Sequence, residues 1–116
     1  MLTMNEDLEG ALREYLALMD AGEYFDAHEV LEEAWHPLRL RKDPLANLAK
    51  GLINGAIAFE HLKRDRNKAV ERAQRVIASF ERHKNICIEG IEHYTLFSEA
   101  CKRVEVLKIR YSEVFR

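Results

Sequence analysis

The sequence predicts an all-α protein: a single-domain helical bundle of about five helices over residues 1–116, with an apolar third helix at its centre. Apolar residues recur at helical spacing along most of the chain, and no segment alternates at period two long enough to compete as a strand. Two prolines and five glycines leave few forced helix stops. Hydrophobic residues make up 47% against 33% charged, which is enough to build a core and too apolar for a disordered chain.

The first helix is expected from about Thr3 or Asn5 to Ala21. Thr3 and Glu6 have capping-box spacing, Leu8, Leu12, Tyr15, Leu16 and Met19 form an apolar face, and Gly22 suits a left-handed stop. A second helix starts near Tyr24 to Asp26, and Pro37 is expected to end or kink it because proline lacks the backbone donor. After the basic link Leu38-Arg39-Leu40-Arg41-Lys42, Asp43-Pro44 reads as an N-cap followed by a first-turn proline. The third helix, Pro44 to about Arg64, is apolar or small almost all round, as befits a central helix. Gly51 and Gly55 each cost it about 1 kcal/mol of helix propensity, which points to another helix passing close over the notch. Asn67 is the expected N-cap of a fourth helix with Ala69, Val70, Ala73, Val76, Ile77 and Phe80 inward. Gly90 marks a connection, and a last helix runs from about Tyr94 to Tyr111.

The net charge of −2 gives no electrostatic drive towards nucleic acid or an anionic membrane. The acidic N-terminus lacks a secretory pattern, and no apolar window approaches a membrane span, so a cytoplasmic location is expected. Cys87 and Cys101 lie fourteen positions apart and read as small buried apolar residues.

The chemistry concentrates in Tyr24-Phe25-Asp26-Ala27-His28-Glu29-Val30-Leu31-Glu32-Glu33-Ala34-Trp35. His28, Glu32 and the only tryptophan, Trp35, share one helical stripe. A core stripe would be aliphatic, and a solvent stripe would not carry Trp. Glu32 can accept a hydrogen bond from the imidazole one turn earlier, which is expected of a structural pair, the alternatives being an oriented base or a ligand pair. The HExxE pattern His28-Glu29-Val30-Leu31-Glu32 departs from the zinc-protease pattern at its second histidine. Asn54 and His61 share a face of the third helix, so His28, Glu32, Trp35, Asn54 and His61 are expected to converge between the second and third helices. For a metal, the candidate ligands are His28, Glu32, His36 and His61.

These residues resemble the DUF309 family, a domain family of unknown function. The resemblance rests on Phe25 to Trp35, on Lys50-Gly51-Leu52-Ile53-Asn54-Gly55-Ala56, on Ala58-Phe59-Glu60-His61-Leu62 and on the turn at Asn67. It implies an all-α bundle whose hallmark aligns with His28, Glu32 and Trp35, and it implies no assigned reaction. Asn54 stands where glutamine is usual in that family, and the Asn67 turn lacks the usual glycines.

The expected function is a binding or interaction module for a protein partner or small ligand, with homo-oligomers allowed. No catalytic set is complete, no cofactor is expected and nucleic acid is not the expected partner. The alternative is a metal-dependent or hydrolase-like enzyme using His28 and Glu32 with a divalent ion.

Overall fold

A computed structural model describes residues 7–115. The fold is all-α, with five helices in chain order: α1 (Leu8–Asp20), α2 (Tyr24–Leu40), α3 (Leu45–Arg64), α4 (Ala69–His83) and α5 (Tyr94–Arg110). A short 3-10 turn, Lys84–Ile86, follows α4. Among the described residues there is no strand and no helix long and apolar enough to cross a membrane.

The helix ends show how the sequence sets the corners. The Asp7 carboxylate caps α1 by accepting from the Gly10 N–H at 2.8 Å; the expected Thr3/Glu6 pair lies outside the described residues. Gly22 closes α1 at φ 76°, donating to Met19 O at 3.1 Å while Glu23 donates to Leu18 O at 2.8 Å. The same paired closure ends α2, with Lys42 at φ 56° in the left-handed role. Pro37 does not end α2, which continues to Leu40. Its φ is already helical, and burial of Pro37 and Leu38 in the core offsets the lost donor. Asp43 accepts the Leu45 N–H at 2.9 Å and so starts α3.

Asn67 is not the cap of α4. That role falls to Lys68, left-handed at φ 64°, after Asp65 has closed α3 at φ 50°. A turn with two positive φ values explains why glycines suit it, since they adopt that geometry without steric cost. Val70, expected inward, is 46% exposed, because the core face of α4 is set by Ala69, Ala73, Ile77 and Phe80.

α3 is the hub. Leu48, Ala49, Leu52, Ala56, Ala58 and Phe59 are fully buried, and α2, α4 and α5 pack around them. The Tyr15 hydroxyl of α1 donates to Leu52 O at 2.7 Å inside the core. Both glycine notches are used. A Cβ on Gly51 would lie 3.2 Å from Phe80 Cα and 3.3 Å from Ser79 O, so α4 crosses there backbone to backbone. At Gly55 the neighbour is the Val104 side chain of α5, at 3.2 Å. Arg103 of α5 clamps the Asp20 carboxylate of α1, with Nε at 2.8 Å and Nη2 at 3.3 Å.

Candidate functional site

Helical spacing decides which part of α3 is left uncovered. Lys50, Asn54, Ile57 and His61 recur at i, i+4, i+7 and i+11, and all four are half-buried while the other residues from Gly51 to Phe59 are buried. α4 closes on one side of this strip through Gly51. α2 runs antiparallel along the other side, with Trp35 against Lys50 near one end and Phe25 against Arg64 near the other. At 1.5 Å per residue, the strip from Lys50 to His61 is about 16 Å long.

The α2 wall carries the residues singled out by sequence. His28, Glu32, Trp35 and His36 are all half-buried. Helical spacing sets His28 and Trp35 beside the core face made by Tyr24, Ala27, Leu31, Ala34 and Leu38 and turns Glu32 and His36 further outward, so none of the four enters the core. Trp35 lies between two cations, Lys50 Nζ at 4.3 Å and Arg39 at 5.1 Å from its ring centre, and the His36 ring is 5.0 Å away.

His28 does not bond to Glu32. Its Nδ1 donates to the Phe25 carbonyl at 2.6 Å, and its ring meets Phe25 edge-on at 4.9 Å. A backbone carbonyl one turn earlier is closer at hand than a flexible carboxylate one turn later. In the neutral ring this tautomer leaves Nε2 as an acceptor. Among the described residues, no hydrogen bond or ion pair joins any two of His28, Glu32, Asn54 and His61. Nor is any buried side-chain polar atom left without a partner, so these groups face water and not a closed network.

The ionisation of His61 is displaced. Burial lowers its pKa below 6.5, the Arg72 and Arg64 charges lower it further, and Glu60 works against them. Arg64 is ion-paired with Glu60, whereas Arg72 and Lys50 have no carboxylate partner among the described residues. The strip therefore presents a neutral imidazole, an amide and two uncommitted cations beside an indole.

Among the described residues, no three His, Cys, Asp or Glu side chains come together as a metal-ligand set. His28, Glu32 and His36 stand on α2 and His61 on α3, and the Arg72 and Arg64 charges beside His61 oppose a second positive charge there. Sequence reasoning overlooked Lys50, Arg72 and His83, whose Cβ would lie 3.6 Å from a Cβ on Gly51. Lys50 was legible in the spacing, four before Asn54. The two α4 residues were not, because only the helix crossing brings them to α3.

A comparison with family models matches residues 12–73 to the domain of unknown function DUF309, and the chain belongs to that family. The match contains all of α2 and α3, hence every strip and rim residue on those helices, and reaches only the first turn of α4. Neither the curated proteins nor the solved structures contain a match.

Proposed function

We propose that this DUF309 member is a binding module whose protein partner or small ligand seats along the α3 strip between α2 and α4. One observation carries the reading: Lys50 lies over the half-buried Trp35 ring, and neither Lys50 nor Asn54, one turn along the strip, has a hydrogen bond or ion pair among the described residues. Polar side chains needed only for folding normally find each other across a helix seam. Here the donors, acceptors and indole edge remain available to a second molecule, the mixture that anchors binding surfaces. A soluble, cytoplasmic setting is part of this proposal.

Site-directed photocrosslinking in the full-length protein tests it. A photoreactive residue at Ile57, in the middle of the strip, is expected to give discrete adducts, and one at Val106 on α5 is not. Lys50→Glu with Asn54→Ala should abolish the Ile57 adducts without lowering the melting temperature. Identical adducts from both positions, or adducts indifferent to the double substitution, would overturn the reading.

A further inference from the structure

Two cations share the Trp35 ring. Lys50 Nζ of α3 lies 4.3 Å from its centre and the Arg39 guanidinium of α2 lies 5.1 Å from it. Arg39 follows Trp35 by one helical turn, so it is held within its own helix, whereas Lys50 arrives from the facing one. The indole face steadies both charges without neutralising them. Among the described residues neither side chain forms an ion pair or a hydrogen bond. The carboxylates nearest along the chain do not serve them. Asp43 pairs with Arg41 and accepts the Leu45 N–H, and Glu32, three residues before Trp35, forms no ion pair with either cation. The His36 ring, 5.0 Å from the indole, brings no negative charge. Like charges fixed on one ring without a counter-charge from the described chain make a preformed seat for an anion from another molecule.

We infer that this seat takes a side-chain carboxylate from an acidic peptide segment, so that the occupant of the α3 strip is a protein; the inference rests on the strip being a binding surface. The Arg39 guanidinium is a planar fork able to receive both carboxylate oxygens, and Lys50 adds a point charge beside it. The half-buried residues running from Lys50 form a single row, because the others from Gly51 to Phe59 are buried, and a single row suits an extended chain. One turn from the seat, the Asn54 amide can both donate to and accept from a peptide unit. Ile57 follows, seven residues from Lys50 and so about 10 Å along the helix. Three residues of polyproline-II chain rise about 9 Å and complete one turn, so side chains three apart face the same way. A peptide whose carboxylate sits at Arg39 and Lys50 therefore sets the side chain three places away against Ile57, and that side chain should be apolar.

Trp35, the only tryptophan, reports on the seat through its own fluorescence. The full chain titrated with an end-blocked tetrapeptide, glutamate-proline-alanine-leucine, should show a saturable change in emission that weakens as salt is added. Glutamine in place of the glutamate, or Lys50→Gln with Arg39→Gln in the protein, should weaken binding about tenfold or more. Serine in place of the leucine should weaken it less. Lys50→Arg with Arg39→Lys keeps both charges and should retain the response. Equal affinity for the glutamine peptide, or no saturable change with either peptide, would overturn the inference, and neither outcome depends on a variant folding. The same change produced by sodium phosphate at the same concentrations would also overturn it, leaving a seat for a simple ion. Discrete Ile57 adducts that survive Lys50→Gln with Arg39→Gln would remove the acidic partner while leaving the strip a binding surface.

Discussion

Two helix seams in this molecule treat their polar residues in opposite ways. Between α4 and α5, Lys108 is ion-paired with Glu81 and lies 3.2 Å from Glu105, while Lys84 reaches Glu81 at 2.7 Å and Glu105 at 3.1 Å. Every charge in that group has a partner across the seam, Lys84 reaching it from the 3-10 turn that follows α4. Beside α2, the α3 residues Lys50, Asn54 and His61 stand half-buried without pairing to one another or to Glu32. The first arrangement uses charge to register two helices; the second leaves charge and hydrogen-bonding capacity to spare. The family match covers the second seam and stops short of the first. A polar residue at a helix junction is thus informative about function only after its partners have been counted.

The contrast depends on α4 lying close over α3, and the largest expected effect comes from forcing them apart. Gly51→Val places bulk against the Phe80 and Ser79 backbone, which cannot step aside as a side chain can. Overpacking there should cost about 3 kcal/mol in chemical denaturation. Gly55→Ala, which meets only Val104, should cost far less; equal losses would show that the notch at Gly51 is not special.

Breaking the paired seam comes next. Lys108, whose side chain is 18% exposed, holds two carboxylates, and Lys108→Ala should destabilise by about 1–2 kcal/mol, between the values for surface and buried pairs. Glu32→Ala on the unpaired seam should change stability by less than about 0.5 kcal/mol, because no partner is stranded. A loss of 2 kcal/mol or more at Glu32 would make the two seams alike and return that residue to a structural role.

The subtlest comparison is in pH. His61 has a folded pKa below 6.5, so its contribution is present above 6.5 and lost as pH falls through the folded value. For Glu81, burial alone would raise the pKa, but hydrogen bonds from Lys108 and Lys84 outweigh it and hold the carboxyl below 4.5. That contribution is present above 4.5 and lost as pH falls further. Lys84, raised above 10.5 chiefly by its bond to Glu81, loses its share only as pH rises through its folded value. Melting curves should therefore show His61→Gln flattening the decline just below pH 6.5, with Glu81→Gln affecting only the decline below pH 4.5. Curves shifted in the same window by both variants would remove the distinction.

Much of the fold was legible in the residues. Helical spacing placed all five helices, Gly22 and Gly90 marked their turns, and the notches at Gly51 and Gly55 foretold close helix crossings. What failed was local and has physical causes. A buried proline can be carried inside a helix, as at Pro37, and a lysine can occupy the left-handed position that a polar cap was expected to fill, as at Lys68. Of the candidate site, the rim residues on α2 and α3 could be read from periodicity. Their mutual independence could not, since a choice such as His28 bonding Phe25 O rather than Glu32 depends on side-chain rotation and not on spacing. The charge of Arg72 beside His61 depends on the crossing of α4 over α3, which spacing within one helix does not reveal.

The clamp between Asp20 and Arg103 joins positions 83 residues apart, and it therefore says something about the order of assembly. α2, α3 and α4 follow one another through short turns, so their contacts close small loops and can form early. Docking α1 against α5 must close nearly the whole chain. Amide hydrogen exchange should accordingly be fastest in α1 and α5 and slowest in the enclosed middle of α3, where release requires the whole structure to come apart.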